Sequence, residues 1–292
     1  MSMEELTLVQ EFMSEDFFTS DARKGSFTAF ALALRAQFEQ EADQDGTTTP
    51  LSAWSTARGD LQKQLLNLPQ LPTSPAAGQS AVASAEARAP QDVATVAAFY
   101  RSLLQTWGYR PPAAQDGQPA AEMLVRSGSA EAAPPLLVVF AAPVESRDDL
   151  LAKDDATLLV PTRNEESGEA EHVSVSRLLS ARFYGETEGA EAHEEPPAYA
   201  LVLAGHHILL TEQERWAEGR YIDIDLGLIL DRHETKAGGA VDRMLACTTA
   251  AAVAPGADGT TWFTSVLEES VKHTESVSED LREAVRTSIE II

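Results

Sequence analysis

The stretch that decides the fold covers residues 198–232 and reads AYALVLAGHHILLTEQERWAEGRYIDIDLGLILDR. Three apolar runs within it, 199–203, 208–210 and 221–226, are rich in residues that favour β-strands. In the third run apolar and acidic residues alternate with a period of two, which is typical of a half-buried strand. The polar residues between the second and third runs predict a short helical turn. The stretch therefore predicts adjacent strands beside the core of an α/β domain.

Further elements are predicted on the N-terminal side of this stretch. Residues 136–142, LLVVFAA, form a short unbroken apolar run, as expected of a buried central strand. Ser26 is placed to cap a helix with Phe27 and Leu34 on its apolar stripe, and residues 93–107 also follow helical spacing. The predicted fold class is α/β (α+β), with a helical N-terminal segment, a mixed-sheet domain and C-terminal helices.

The composition predicts four segments along the chain. Residues 1–68 are predicted to be a helical N-terminal segment, and within it residues 4–13 carry Leu6, Val9, Phe12 and Met13 at helical spacing. Residues 69–92 are dense in Pro, Ala and Ser and are predicted to be a flexible linker. Residues 93–235 are predicted to form the α/β domain, and residues 236–292 a helical segment that leads toward a further C-terminal domain.

Charge and composition limit the classes of function. The formal net charge of −24 disfavours tight binding of nucleic acid, since phosphate contacts depend on Lys and Arg. Apolar and charged contents of 43% and 23% are ordinary for a globular protein. The start of the chain lacks the features of a signal peptide, and Cys247 is the single cysteine. These observations favour a cytoplasmic protein without disulfides.

Two stretches, in the same order along the chain, carry a resemblance to a known family. Residues 12–35 read FMSEDFFTSDARKGSFTAFALALR, and residues 214–230 read ERWAEGRYIDIDLGLIL. Together they resemble the N-terminal region of large adenine-specific DNA methyltransferases. These enzymes belong to the type IIG-like restriction–modification group and to DISARM- and BREX-type phage-defence systems. The resemblance implies an N-terminal module of a site-specific adenine DNA methyltransferase.

The resemblance also implies partners and a cofactor. The partners would be the methyltransferase catalytic domain or other defence-system subunits, with DNA reached only through that complex and no membrane involved. S-adenosylmethionine is the cofactor of the parent family, and we expect no cofactor in this chain. The last helix carries no closing Gly or Pro, and in the family a helix at this point leads into the methyltransferase domain.

Related methyltransferases often carry a PD-(D/E)XK nuclease domain at the N-terminus, and the predicted layout resembles a degenerate form of that core. Its chemistry needs an Asp and a Glu-x-Lys that hold a divalent cation. Ala141 and Ala142 stand where an acid and the lysine would be sought. The candidate catalytic acids of a rearranged site are Glu145, Asp148 and Asp149, which come after the strand. We therefore expect a fold that does not cleave.

Methyl transfer is not expected of this chain. The reaction needs a glycine-rich turn for S-adenosylmethionine and an Asn/Asp-Pro-Pro-aromatic loop for the flipped adenine. Pro196-Pro197 is preceded by Glu195 and followed by Ala198, so it has neither the amide nor the stacking ring.

Other reactive residues have structural interpretations that compete with functional ones. His206 and His207 are adjacent, so in a strand their side chains point to opposite faces and do not readily share a metal ion. Asp223 and Asp225 share one strand face and are predicted to be solvated, with a carboxylate pair as the alternative. Cys247, in an Ala-rich segment, is predicted to be a small core residue.

Three functions remain open from the sequence. The first is a non-catalytic module that acts as a scaffold or docking surface for the methyltransferase. The second is a stand-alone metal-dependent nuclease with a rearranged site. The third is an acidic protein-interaction or DNA-mimic protein, which the net charge of −24 motivates.

Overall fold

The computed structural model describes residues 4–20, 25–111, 120–126, 134–164, 167–185 and 195–290. These residues form a six-stranded sheet in the order β1-β6-β5-β4-β3-β2. Its strands are β1 (Leu6–Val9), β2 (Glu122–Val125), β3 (Leu136–Val144), β4 (Tyr199–Gly205), β5 (His207–Glu212) and β6 (Tyr221–Asp225).

Helices precede, connect and follow the strands. In chain order they are α1 (Glu15–Thr19), α2 (Phe27–Asp45), α3 (Pro50–Leu66), α4 (Ala81–Glu86), α5 (Pro90–Thr106), α6 (Arg147–Leu150), α7 (Val175–Tyr184), α8 (Gln213–Trp216), α9 (Leu226–Arg232), α10 (Ala240–Thr248), α11 (Ala250–Val253) and α12 (Trp262–Glu290).

The sheet is mixed, as predicted. β3 and β4 are parallel, whereas every other neighbouring pair is antiparallel. β3, β4 and β6 therefore run in one direction, and β1, β2 and β5 in the other. The strands predicted at 199–203 and 208–210 are confirmed, and so is the central strand that begins at Leu136. The strand predicted at 221–226 forms β6 but ends at Asp225, because Leu226 begins α9. β3 and β4 are continuous apolar runs, as expected of strands that are buried on both faces.

Each face of the sheet has its own hydrophobic core. On one face, Leu201, Ile208 and Ile222 belong to the larger core, which α2, α3, α5 and α10 also fill. On the other face, Leu209 and Val139 pack in a smaller core with α6 and α7. Successive side chains of a strand point to opposite faces, so the same strands supply both cores. The result is a sheet between a thick and a thin helical layer.

The N-terminal prediction is wrong for residues 4–13, where the chain forms β1 instead of a helix. Leu6 and Leu8 pair with Ile224 and Ile222 of β6. Gln10 then has a positive φ of 51°, which ends the strand. Pairing with the open edge of β6 supplies backbone hydrogen bonds that the local helical pattern does not reveal.

The segment 69–92, predicted to be a linker, contains α4 and the start of α5. Arg88 within it is only 6% exposed. Its guanidinium donates hydrogen bonds to the carbonyl oxygens of Pro72, Leu158 and Leu159, and also to that of Ala156. The Thr73 carbonyl accepts a further hydrogen bond from the Ala156 amide. This segment is therefore tied to the loop after β3, while the domain boundaries themselves stay predictions.

The C-terminal segment is helical, as predicted, and α12 is continuous from Trp262 to Glu290. Phe263, Val266 and Leu267 of α12 are buried in the larger core, and Ser270 accepts a hydrogen bond from the Ser14 amide. Beyond this point Val277 is 41% exposed. Among the described residues, no helix combines the length and apolarity needed to cross a bilayer.

Candidate functional site at the carboxyl ends of the strands

The carboxyl ends of β3, β4 and β6 lie at one edge of the sheet, where α/β proteins commonly bind ligands. β3 and β4 separate here, because three residues between Phe140 and Val144 lie opposite the single residue between Leu203 and Gly205. The polar residues that follow β3 and β4 are therefore brought next to β6. This edge is the candidate functional site.

His207 is the best-positioned polar side chain of this edge. Its Nδ1 lies 3.0 Å from Oδ1 of Asp223, and its Nε2 lies 3.3 Å from the carbonyl oxygen of Glu145. The side chains of His207 and Asp223 are 15% and 11% exposed. The hydrogen bond that the His207 ring donates to Asp223 raises the pKa of His207 above its usual value, against the opposing effect of burial.

The prediction that Asp223 and Asp225 are two solvated carboxylates is wrong for Asp223. Asp223 as a whole residue is 9% exposed, and its carboxylate is hydrogen-bonded to His207. Asp225 instead caps α9, because its Oδ1 accepts a hydrogen bond from the Leu228 amide at 2.9 Å. The two carboxylates therefore serve different partners.

The two adjacent histidines also have different surroundings, as the sequence predicted. His207 faces Asp223, whereas His206 is exposed and its Nδ1 lies beside Gly227, 2.5 Å from where a Cβ would stand. Gly227 therefore leaves the room that the His206 ring occupies. Across the described residues, no three His, Cys, Asp or Glu side chains lie together as a group that could hold a metal ion.

The candidate nuclease acids Glu145, Asp148 and Asp149 all lie at this edge, but each has a different environment. Glu145 is exposed and contributes its backbone carbonyl to His207. The Asp148 side chain is 92% exposed and lies 3.9 Å from Arg147. Asp149 accepts a 2.7 Å hydrogen bond from the Ser146 hydroxyl at the start of α6. Among the described residues these three acids do not form a group that could hold a metal ion.

Cys247 lies in the larger core, where it is fully buried. Burial raises the pKa of its thiol, which disfavours the thiolate form that a nucleophile needs. Its interpretation as a small core residue is consistent with this environment.

Sequence reasoning missed the pairing of His207 with Asp223. In the β5–β6 register His207 lies opposite Asp225 and Leu209 lies opposite Asp223, so the bonded pair is a diagonal one. The signal available in the sequence was the hairpin itself, because both residues occupy the same face once the register is known.

The fold and this edge define a mixed α/β protein with a histidine–aspartate pair beside the end of its central strand. Comparisons with protein-family models, with curated proteins and with solved structures found no match for the chain.

Proposed function

We propose that this protein is a non-catalytic N-terminal module of a site-specific adenine DNA methyltransferase in a restriction–modification or phage-defence system. Its role is to act as a scaffold or docking surface for the catalytic domain or for other subunits of the system. S-adenosylmethionine belongs to the catalytic domain, DNA is reached through the complex, and the assembly is cytoplasmic.

The observation that carries this proposal is that the two family-like stretches are parts of one folded body. Phe18 and Phe27 from residues 12–35 share the larger hydrophobic core with Ile222 and Leu226 from residues 214–230. The guanidinium of Arg215 also lies 5.6 Å from the centre of the Phe12 ring. A likeness spread over two distant stretches is more informative when both stretches build the same core.

A degenerate nuclease-like core is a further part of the proposal. The order of α5, the antiparallel pair β2–β3 and the parallel strand β4 agrees with that interpretation. Ala141 and Ala142 are fully buried in β3 and carry no metal-binding atoms. The separate environments of Glu145, Asp148 and Asp149 support a core that does not cleave DNA.

The test is to co-express the chain with the adenine methyltransferase domain of its own genome and to measure the molecular mass of the purified material. We expect a stable complex with methyltransferase activity, whereas the chain alone neither binds S-adenosylmethionine in calorimetry nor methylates DNA. An unrelated protein of similar net charge controls for non-specific attraction. Binding of S-adenosylmethionine by the isolated chain would contradict the proposal.

A stand-alone metal-dependent nuclease is the second candidate, and the position of Glu145, Asp148 and Asp149 on one segment favours it. Incubation with plasmid and Mg²⁺ or Mn²⁺ tests it. Cleavage that is lost in the triple variant Glu145→Gln, Asp148→Asn, Asp149→Asn would replace the first proposal, and no cleavage by the unmodified chain would remove this candidate.

The third candidate is an acidic protein-interaction or DNA-mimic protein, which the net charge of −24 favours. A DNA mimic should displace duplex DNA from a DNA-binding partner in a fluorescence anisotropy assay, with the loss of displacement at high salt as the electrostatic signature. No displacement from the co-expressed methyltransferase would exclude mimicry of that enzyme's substrate.

A further inference from the structure

The segment from Glu145 to Leu151, which contains α6, is held at both ends, by α7 at Leu151 and by β5 at Glu145. At its end, the Leu151 carbonyl accepts a 2.7 Å hydrogen bond from the Ser176 hydroxyl. At its start, the Glu145 carbonyl oxygen faces Nε2 of His207. Between these points Leu150 is fully buried in the smaller core. His207 is therefore the contact through which β5 holds the beginning of the segment.

The two partners of His207 are both acceptors. A carboxylate and a backbone carbonyl carry no proton to donate, so each ring nitrogen needs its own N–H to bond its partner. Only the imidazolium has two. A neutral ring satisfies either Asp223 or Glu145, and its other nitrogen then presents a lone pair to an oxygen atom.

The charges around His207 favour the imidazolium. Asp223 and Asp225 on β6 both stabilise the positive ring, and the hydrogen bond to Asp223 is the largest influence. Arg147 and Asp148 of α6 act on the pKa of the neighbouring Tyr221, which Arg147 lowers and Asp148 raises. The exposed groups at this edge are the side chains of His206, Glu145, Asp148 and Asp149.

We propose that His207 is a proton-controlled clasp that fastens the segment from Glu145 to Leu151 onto β5 and β6. With both nitrogens protonated, the ring joins Asp223 to the Glu145 carbonyl. Loss of one proton breaks one of these hydrogen bonds, and because the ring keeps its stronger partner, Asp223, the Glu145 carbonyl is released. The start of the segment, which carries all three exposed acids of this edge, is then freed.

Linkage sets the direction of the switch. Because the pKa of His207 is raised in the folded protein, the clasp is fully closed below the ordinary histidine value of about 6.5 and opens as pH rises through the raised value. The switch is independent of the function proposed above.

Amide hydrogen exchange, corrected for the intrinsic pH dependence, tests the clasp together with NMR titration of the His207 ring. The reporters are the amides of Leu150 and Leu151, which bond the carbonyls of Ser146 and Arg147. We expect their protection to fall about tenfold over the interval in which His207 loses its proton, as loss of one charge-assisted hydrogen bond predicts. Protection that does not change across that interval would overturn the proposal.

Two variants and a matched control sharpen the test. His207→Gln should give low protection at every pH, and Asp223→Asn should move the transition to lower pH because the ring loses its carboxylate. His206→Gln changes the adjacent exposed histidine and should leave the transition where it is. If His207→Gln does not fold, Asp223→Asn alone decides, since a transition that stays in place contradicts the clasp.

Discussion

The hydroxyl of Tyr100 bridges β3 and β4 where their register shifts. It donates a 2.8 Å hydrogen bond to the Ala141 carbonyl and accepts a 2.8 Å hydrogen bond from the Gly205 amide. Tyr100 is fully buried, and burial raises the pKa of its hydroxyl. One side chain of α5 thus satisfies two backbone groups that the bulge removes from the ladder.

Tyr100→Phe should destabilise the protein, because it leaves a buried carbonyl and a buried amide without their partner. The expected loss is about 1–3 kcal/mol in the free energy of unfolding, measured by urea denaturation. Tyr109→Phe is the matched control, since the Tyr109 hydroxyl is buried without a hydrogen-bond partner among the described residues. Its removal should cost nothing or stabilise the fold, and equal losses in both variants would refute the bridging role.

Gly205→Ala tests the close approach of β4 to the bulge. Gly205 has a φ of +72°, and an added Cβ would lie 2.9 Å from Cβ of Pro143. Gly219→Ala has a similar φ of +69° with open space around it, so it carries only the backbone strain of about 1 kcal/mol. We expect Gly205→Ala to cost about 1–3 kcal/mol more than this control in urea denaturation, through the added steric clash. Equal losses of unfolding free energy in the two variants would show that the backbone at the bulge shifts to make room for the added Cβ.

Arg88→Met tests the attachment of the segment 69–92 to the loop after β3. The variant leaves the carbonyls of Pro72, Ala156, Leu158 and Leu159 without their donor. The expected loss in the free energy of unfolding is about 3 kcal/mol. Arg163→Met removes an exposed arginine paired with Glu86 and should cost less than about 1 kcal/mol. A loss as small as that control's would show that the segment contributes little to the fold.

The contribution of His207 to stability should depend on pH. A raised pKa in the folded state makes its stabilisation fully present below about pH 6.5 and lost as pH rises through the folded value. The difference in unfolding free energy between the unmodified protein and His207→Gln should therefore be larger at pH 5.5 than at pH 9. Urea denaturation at both values measures it, and a difference that grows with pH would have the wrong sign.

The errors of sequence reasoning fall where an element takes its structure from a distant partner. Residues 6–9 carry no local signal that separates a short edge strand from a helical turn, and pairing with β6 decides between them. Asp223 was predicted to be solvated because it alternates with apolar neighbours, but α6 and the smaller core cover that face of the sheet. The burial of a strand residue depends on the helices that cover each face of the sheet. Alternation of apolar and polar residues indicates which face is apolar, but it does not show whether the other face is also covered.

The sequence by itself determined the central strands, the cap of α2 at Ser26 and the mixed α/β class, because apolar runs and side-chain caps act over a few residues. The tertiary structure alone decided that residues 6–9 pair with β6 as strand β1, and that Arg88 binds the segment 69–92 to the loop after β3. It also decided that His207 meets Asp223 and Glu145. These contacts join residues far apart in the chain, so their geometry depends on strand register and packing, which local patterns do not encode.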